Sequence, residues 1–288
     1  ANTASMKSQG QELSIQTTNI RNRDFTWITN LIYSHVTTKV TSLMSQARTI
    51  DLISGEASSG FTMEGYPHRA IFSMPFQGLT DKGIPTYLNE KGNLTSTDLN
   101  FQNRTDNSYL IYEGPTEPTV TGSLGNELKW KNWRLNIFVT YSFGSYVRLD
   151  PVFSARYNDL TSMTKEFKNR WMQAGDEKIT SVPGILPYRM YRDDSSLRIA
   201  YNAYNYTSNR TAKGDFIRMK EISLGYDFPR AMLQSTPFTN LSLKLQATNL
   251  FLIYADKKLN GQDPEFVNAG GVAAPIPRQF TMTLKFGL

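Results

Sequence analysis

The chain has 288 residues, with 31 Lys and Arg against 25 Asp and Glu, a mean hydropathy of -0.42 and no cysteine. The lack of cysteine excludes disulfides, thiolate metal sites and cysteine nucleophiles, and two histidines are too few for a histidine metal cluster. The net charge of +6 is spread along the sequence, which disfavours nucleic-acid binding. The sequence contains no run of about 18 apolar residues, so a transmembrane helix is not predicted.

The first predicted elements are strands in which apolar and polar side chains alternate. In the stretch 11–18, Leu13 and Ile15 share one face. The stretch 24–36 also has one largely apolar face, interrupted at Thr29 and formed by Phe25, Trp27, Leu31 and Tyr33. Because successive side chains of a strand point to opposite sides, each stretch predicts a strand with two different environments.

The clearest predicted strand is the stretch 133–144. Most of its even positions are polar, and its odd positions are all apolar up to residue 143: Trp133, Leu135, Ile137, Val139, Tyr141 and Phe143. This strand is long for a soluble sheet, where about five or six residues are typical. Its length matches the roughly 9–11 residues that a tilted strand needs to cross a bilayer.

Long polar connections separate the strands. The stretches 45–65 and 77–108 are rich in Gly, Ser, Thr, Asn and Asp, and they are hard to interpret as regular structure. Within a third connection, 155–212, we predict a helix over 160–175, because apolar residues recur at steps of three and four: Leu160, Met163, Phe167 and Trp171. Its polar side would pair Glu166 with Arg170, and Gly175 fits a C-terminal cap.

The C-terminal part returns to strands. In the stretch 214–229 the apolar phase shifts by one residue near Lys220 and Glu221, which predicts a β-bulge or the meeting of two strands. The stretch 241–254 alternates, with an interruption at Asn249. The last strand has an apolar face formed by Phe280, Met282, Leu284, Phe286 and Leu288. By pattern, the chain contains about eight to ten strands.

The apolar faces predict either a protein core or a lipid-facing surface. A water-soluble sheet protein also alternates, so a soluble all-β carbohydrate-binding protein or adhesin is the alternative. Strand length, aromatic residues near strand ends such as Trp133 and Tyr254, and a final strand with an apolar face favour a transmembrane β-barrel.

An enzyme is not expected. A glycosidase would need a localised pair of carboxylates, and none stands out in the motifs. Asp176 and Glu177 are adjacent, so their side chains point apart on an extended chain. We interpret them as part of a structural loop and not as catalytic or calcium-binding carboxylates. The sequence therefore predicts neither catalytic residues nor a metal site nor a cofactor.

Several motifs follow one another in a fixed order. They are RWMQAGDEKITSVP at 170–183, GDFIRMKEISLGYDFP at 214–229, LKLQATNLF at 243–251, GQDPEF at 261–266 and PIPRQFTMTLKFGL at 275–288. Together with the stretches 10–16, 25–43 and 114–144, they resemble the C-terminal end of the SusC/RagA family of TonB-dependent outer-membrane transporters. The family usually ends on an aromatic residue, whereas this chain ends on Leu288. Either the insertion machinery accepts this ending or recognition rests on Phe286. The candidate C-terminal barrel signal is the apolar face formed by Phe280, Met282, Leu284, Phe286 and Leu288.

The resemblance implies an all-β fold, namely the C-terminal antiparallel strands of a 22-stranded transmembrane β-barrel with long extracellular loops. Residues 1–288 would be one portion of that barrel, with no plug domain among them, and we expect this portion not to close alone. By resemblance, the complete protein is a multi-pass barrel that imports oligosaccharides or peptides across the bacterial outer membrane. Its expected partners are the N-terminal barrel and plug portion, a SusD-like surface lipoprotein lid, TonB through the plug, outer-membrane lipid and the substrate.

Candidate functional residues follow from the strand faces and the loops. We expect the lumen to be lined by polar strand residues, with the candidates Arg134, Asn136, Thr140, Lys244, Gln246, Thr248 and Lys285. The loops near 45–65, 77–108 and 155–212 should be extracellular. Five tyrosines of one loop would contact ligand or lid, or would pack the loop onto its neighbours: Tyr188, Tyr191, Tyr201, Tyr204 and Tyr206.

Overall fold

The computed structural model describes residues 4–55, 60–153, 163–267 and 276–288. Its strands are β1 (Ala4–Arg21), β2 (Phe25–Leu43), β3 (Ala70–Ser73), β4 (Phe76–Leu79), β5 (Pro85–Leu88), β6 (Leu94–Thr95), β7 (Ile111–Pro115), β8 (Val120–Trp130), β9 (Trp133–Phe143), β10 (Tyr146–Arg148), β11 (Thr211–Lys213), β12 (Phe216–Asp227), β13 (Asn240–Ala255) and β14 (Gln279–Gly287). The α-helices are α1 (Thr49–Ser54), α2 (Tyr188–Asp193), α3 (Ser195–Tyr204) and α4 (Arg230–Leu233). Among the described residues, none of the helices is long and apolar enough to cross a membrane.

Seven strands form one large sheet in the order β1-β2-β8-β9-β12-β13-β14. All neighbours in it are antiparallel, which confirms the predicted fold class. The pattern-based count of about eight to ten strands differs from this sheet of seven, because the other strands form small separate ladders in the connections. Within the described part, β1 and β14 each pair with one strand, so the sheet has two open edges.

The first two strands are much longer than their alternation predicted. β1 has 18 residues and β2 has 19, whereas about 9–11 residues cross a bilayer. Apolar alternation marks only the parts of both strands next to residues 22–24. Beyond Leu13 and Tyr33 the same face becomes polar, so the pattern fades although the backbone ladder continues to Ala4 and Leu43.

The connections differ at the two ends of the large sheet. At one end they are short and consist of residues 22–24, 131–132 and 228–239. At the other end they are long and consist of residues 44–119, 144–215 and 256–278. Outer-membrane barrels have short periplasmic turns and long extracellular loops. The end with the long connections therefore resembles the extracellular end of such barrels.

The predicted β-bulge is confirmed at Lys220. Met219 pairs with Val139 of β9, and Glu221 pairs with the adjacent Phe138, so Lys220 is an extra residue in β12. The register with β13 also shifts here, where Asn249 has a φ of 54°. Asparagine adopts this left-handed conformation more readily than most residues. These irregularities explain the phase changes seen in the sequence.

The long connections fold on one another. A shared core contains residues of α1, β3, β5 and α3, namely Leu52, Phe72, Tyr87 and Ala200. The hydroxyl group of the fully buried Tyr87 donates a 2.6 Å hydrogen bond to the Ala200 carbonyl oxygen. The stretches 45–65 and 77–108, which are hard to interpret from the sequence, thus contain regular structure. Their helix and strands are stabilised by contacts with residues distant in sequence, which local composition does not reveal.

The buried side chain of Arg148 links the connections 44–119 and 144–215 through hydrogen bonds. Its guanidinium group donates hydrogen bonds to the carbonyl oxygens of Phe72 at 2.7 Å and Thr207 at 3.1 Å, and to Ser73 Oγ at 3.0 Å. Burial lowers the pKa of Arg148 to about 10. Because β10 also pairs with β11, the two ends of the connection 144–215 are held together.

The helix predicted over 160–175 is wrong in its described part. Only Lys165–Asn169 is helical, as a single 3-10 turn, while Leu160 lies outside the described residues. The indole ring of Trp171 packs against Gly83 and Gly184 instead of continuing a helical stripe. Apolar spacing alone does not distinguish a helical stripe from separate apolar side chains that pack against other loops.

The polar side of the predicted helix also differs. Glu166 pairs with Arg210 and not with Arg170, whose guanidinium carbon lies 4.6 Å from the ring centre of Phe167. Gly175, predicted as a C-terminal cap, precedes a second 3-10 turn and has a φ of 104°. Tertiary contacts across the loops therefore determine these side-chain partners.

Candidate functional site: the two faces of a barrel wall

The polar residues predicted to face a lumen lie on one face of the large sheet. Paired residues on neighbouring strands share a face. By this register, Arg134, Gly225 and Lys244 form one row across β9, β12 and β13. The other candidates lie in further rows of the same face: Asn136, Thr140, Gln246, Thr248 and Lys285. Their contact with a transport path stays a prediction.

A groove of about 460 Å³ runs over this polar face. Four of the predicted residues line it: Arg134, Asn136, Lys244 and Lys285. Its lining also contains Glu127, Ser223 and Ser242. The groove therefore offers hydrogen-bond donors and acceptors together with charges of both signs.

Acidic residues that the sequence analysis did not single out partly neutralise the polar face. Arg134 Nη2 lies 2.5 Å from Asp227 Oδ1. Lys244 Nζ lies 3.8 Å from Glu221 Oε1, which also accepts a 3.3 Å hydrogen bond from Asn136 Nδ2. Each contact joins neighbouring strands, a relationship that alternation within one strand cannot show. Such a mixed-charge surface favours contact with water or polar solutes.

The opposite face is apolar. Leu135, Leu224 and Leu245 form one row across three strands, and Leu224 and Leu245 are 41% and 48% exposed. The face continues on the edge strand and the last residue, with side chains between 55% and 81% exposed: Phe280, Met282, Leu284, Phe286 and Leu288. Soluble monomers rarely expose such a large contiguous apolar surface. Contact of this face with lipid stays a prediction.

Aromatic residues border the apolar face at both ends. Near the short turns, one row crosses four strands: Phe25, Trp130, Trp133 and Tyr226. Nearer the long connections, Tyr33 and Tyr141 share a row. Trp133 and Tyr141 are about 27 Å apart along β9 at ~3.4 Å per residue, which is about 21 Å in height at a tilt of ~40°. This spacing fits the apolar band of an outer-membrane barrel, about 25 Å tall between its aromatic girdles.

A polar cluster interrupts the apolar face near the short turns. Asn126 Oδ1 accepts hydrogen bonds from Trp27 Nε1 at 2.9 Å and from Thr29 Oγ1 at 2.8 Å. Asn19 Nδ2 donates a 2.6 Å hydrogen bond to Thr29 Oγ1. Polar groups facing lipid need internal partners. The bonds across β1, β2 and β8 supply them, and they account for the gap that Thr29 makes in the alternation.

Two of the sequence motifs meet at Arg218. Its side chain, from the motif at 214–229, is 7% exposed and forms ion pairs with Asp263 and Glu265 of the motif at 261–266. The Arg218 Nε to Glu265 Oε2 distance is 2.8 Å. The contact ties the connection after β13 to the end of β12 that lies next to the long connections. The sequence contains both motifs but does not show that they touch.

Three of the five candidate loop tyrosines pack inside the loops. Tyr201 and Tyr204 are 2% and 1% exposed, and Tyr206 packs against the shared loop core. Burial raises the pKa of Tyr204. For these three residues the structure favours the packing alternative over contact with ligand or lid.

The other two tyrosines are accessible. Tyr188 is 73% exposed, and Tyr191 lines a pocket of about 400 Å³ together with Phe101, Arg198 and Asn202. The guanidinium carbon of Arg198 lies 5.5 Å from the ring centre of Tyr191. The pocket combines aromatic faces, an amide and a cation, which could bind a sugar ring or a peptide carboxylate. The local sequence around Arg198 does not predict this role.

Asp176 and Glu177 have structural partners. Asp176 Oδ2 accepts hydrogen bonds from two backbone N–H groups, including that of Gln173 at 3.1 Å. Glu177 Oε2 accepts from the backbone of Gly175 at 2.8 Å and from Trp171 Nε1 at 3.3 Å. Backbone hydrogen bonds lower the pKa of Glu177. Both carboxylates therefore hold the local turn, and within the described ranges no group of three or more His, Asp or Glu is placed to hold a metal ion.

The two faces, the aromatic rows and the unequal connections define a portion of the wall of a transmembrane β-barrel. No family model matches the chain. Two curated proteins of Formosa agariphila are similar to it: TonB-dependent receptor P3, 25% identical over 280 residues, and TonB-dependent receptor P39, 24% identical over 316 residues. The matches cover 92% and 96% of this chain and only 26% and 29% of those relatives. The chain thus spans less than a third of their length.

Solved structures show the same fold. The RagAB peptide importer in its open-open state matches with a TM-score of 0.69 and 18% identity, and in its closed-closed state with 0.68 and 19%. A further structure of the RagAB peptide transporter matches with 0.69 and 19%. These matches cover 98% to 99% of this chain and 29% to 30% of the solved chains.

These similarities confirm the resemblance to the C-terminal barrel portion of a SusC/RagA-family transporter that the motifs predicted. They also indicate the outer membrane as the location. The similar proteins are receptors and transporters, in agreement with the expectation that the chain is not an enzyme.

Proposed function

We propose that residues 1–288 form the C-terminal part of the barrel wall of a SusC-like, TonB-dependent importer in the bacterial outer membrane. The observation that carries this proposal is the seven-stranded sheet, which has one exposed apolar face between two aromatic rows and one polar, mixed-charge face. The polar face forms the inner wall of the transport path, and the apolar face contacts lipid.

The proposed cargo is an oligosaccharide or a peptide. The pocket beside Tyr191 supports this, since its aromatic faces suit sugar rings and apolar side chains, and Arg198 suits a carboxylate. Two of the similar solved structures are named as a peptide importer, which supports the peptide. A SusD-like surface lipoprotein would close over the extracellular loops as a lid, and TonB would act through the plug.

We propose further that the sheet needs the N-terminal barrel and plug portion to close. The unpaired outer edges of β1 and β14 in the described part support this, because barrels leave no open edge in lipid. The chain refolded alone in detergent should migrate on an unheated gel as an unfolded or aggregated species. A compact, heat-modifiable monomer would contradict the requirement for further strands.

Membrane fractionation of cells that express the complete transporter tests the main proposal. The transporter should remain with the outer membrane after salt and alkaline washes and should need detergent for release. Release into the soluble fraction would favour the alternative, a soluble all-β carbohydrate-binding protein or adhesin.

Uptake measurements test the loop pocket. Tyr191→Ala and Arg198→Gln in the complete transporter should lower uptake of labelled oligopeptides or oligosaccharides. Arg189→Gln is the matched control, because Arg189 is exposed on the neighbouring helix α2 and removal of its charge changes the net charge equally. Unchanged uptake in the Tyr191 and Arg198 variants would exclude the pocket as a cargo site.

A further inference from the structure

The outer face of β1 and β2 changes character along its height. Paired residues on the two strands give four successive rows on this face. From the membrane outwards these rows are Leu13 with Tyr33, Gln11 with His35, Gln9 with Thr37, and Lys7 with Lys39. The face therefore passes from apolar to uncharged polar or histidine and then to cationic, and none of the four rows contains an acidic residue.

The last row places two lysines directly opposite each other. Lys7 and Lys39 are paired across β1 and β2, and both are exposed. Like charges in such a cross-strand pair destabilise a sheet. Across the residues that the structure describes, neither lysine forms an ion pair. An anion from outside the protein would remove the repulsion.

A pocket is present at this position. It has a volume of about 410 Å³, and both lysines line it together with Gln9, Thr37 and Thr41. Residues Gly65 and Pro67 of the first long connection form its other wall. Ammonium, amide and hydroxyl groups all donate hydrogen bonds to phosphate oxygens. The pocket thus offers several donors around two positive charges.

The height of the pocket identifies the kind of anion. Lys39 lies six residues beyond Tyr33 of the aromatic row, about 20 Å along the strand at ~3.4 Å per residue and about 16 Å in height at a tilt of ~40°. The headgroup layer of a phospholipid bilayer is only about 5–7 Å thick on each side. The phosphate of an ordinary phospholipid therefore lies too low. A lipid anion at this level needs a headgroup that is lengthened by phosphorylated sugars.

We propose that Lys7 and Lys39 form a binding site for the phosphorylated sugar headgroup of an outer-leaflet glycolipid. This inference rests on the proposed outer-membrane barrel and adds a lipid site on its outer wall, away from the transport path. The bound headgroup pairs with both ammonium groups, and the acyl chains lie against the apolar face below Leu13 and Tyr33.

The test uses the complete transporter in phosphatidylethanolamine nanodiscs with and without lipopolysaccharide, and native mass spectrometry counts the bound glycolipid. The double variant Lys7→Gln, Lys39→Gln should retain glycolipid about 10- to 30-fold more weakly at low salt, since each lysine near an anionic lipid surface contributes several-fold. Dephosphorylated lipopolysaccharide should bind the unaltered transporter as weakly as the variant binds the intact glycolipid.

Two further variants make the outcome decisive. Lys129 pairs with Arg134 across β8 and β9 and therefore lies on the polar inner face, as Lys285 does. Lys129→Gln with Lys285→Gln removes the same charge from that face and should leave glycolipid retention unchanged. Lys7→Arg with Lys39→Arg keeps the charge and should keep the binding. Equal retention by the Gln double variant, equal loss in the inner-face control, or equal binding of dephosphorylated glycolipid would overturn the proposal. Heat-modifiable migration and detergent-dependent solubility of all variants would show that the barrel itself is intact, so a failure of this inference is distinguishable from a failure of the proposed function.

Discussion

The ring of Tyr141 lies directly over Gly122 of the adjacent strand. Its hydroxyl group donates a 2.9 Å hydrogen bond to the Ile32 carbonyl oxygen one strand further on. A Cβ atom at position 122 would collide with both the Tyr141 hydroxyl group and the Ile32 oxygen. One aromatic side chain thus joins three strands of the sheet, and only glycine leaves space for it.

Gly122→Ala should therefore destabilise the sheet by about 1–3 kcal/mol, the usual cost of overpacking. The midpoint of urea unfolding of the complete transporter in detergent measures it. Gly125→Ala is the matched control on the same strand, because its nearest neighbour would be 3.5 Å away, an ordinary contact. Equal shifts in the two variants would show that the ring contact is unimportant.

The ion pairs of Arg218 should make the connection after β13 sensitive to single substitutions. Arg218→Met leaves the mostly buried Asp263 carboxylate without its partner, and loss of one member of a buried pair costs about 3–5 kcal/mol. Glu265→Gln should cost less, because the Glu265 side chain is 37% exposed. Limited proteolysis within residues 256–267 measures how readily this connection opens. Similar cleavage rates for both variants and the unaltered protein would argue against this role.

The contact between Trp171 and Gly83 predicts a difference between two glycines of similar backbone conformation. Gly83 has a φ of 72°, and a Cβ there would lie 2.5 Å from Trp171 Cδ2. Gly92 has a φ of 74° and nothing within 4 Å. Gly83→Ala should thus cost about 1–3 kcal/mol more than Gly92→Ala, and Trp171 fluorescence should report the displaced ring. Equal stability of the two variants would mean that backbone strain alone matters.

Tyr87 predicts a loss of loop stability in alkali. Burial raises the pKa of Tyr87 well above its usual value of 10.0, so the folded state favours the neutral phenol. The stabilisation from neutral Tyr87 is complete below pH 10. It is lost as the pH rises from 10 through the raised pKa of Tyr87 in the folded state. Burial raises the pKa of Tyr204 as well, so Tyr204 also contributes less stability as the pH rises above 10. The lowered pKa of Arg148 has the opposite effect, because its burial becomes less unfavourable once the guanidinium group loses its proton.

The comparison of Tyr87→Phe with the unaltered protein isolates this effect. The variant should lose about 1 kcal/mol at neutral pH, from the hydrogen bond to Ala200, and should lose stability less steeply above pH 10. Tyr188→Phe, at an exposed position, is the control. Near-ultraviolet circular dichroism follows the stability of each protein against pH. Parallel pH profiles for the Tyr87 variant and the unaltered protein would contradict the prediction.

The sheet could be predicted from the sequence because period-two alternation reports the two faces directly. The stretch 133–144 gave β9 almost to the residue, and the phase change near Lys220 gave the bulge. The position of Arg134 and Lys244 on the polar faces of their strands also follows from alternation. Their acidic partners Asp227 and Glu221 do not, because cross-strand register depends on turns and bulges that the sequence does not specify.

The loops could not be predicted for a different reason. The apolar spacing around Trp171 is also that of a helix stripe, although the indole packs on Gly83 and Gly184. Likewise, Tyr201 and Tyr191 belong to the same connection, yet Tyr201 is buried and Tyr191 lines a pocket. Only the packing of distant connections on each other separates a structural tyrosine from a candidate ligand contact.

The long connections also determine the order in which the sheet can assemble. Trp130 and Trp133 pair across a two-residue turn, whereas Phe25 pairs with Trp130 across about 100 residues. By chain statistics, the second closure costs about 3 kcal/mol more in entropy, and contacts of high sequence separation form slowly. We therefore expect the β1–β2 and β8–β9 hairpins to form before the seam between β2 and β8 closes.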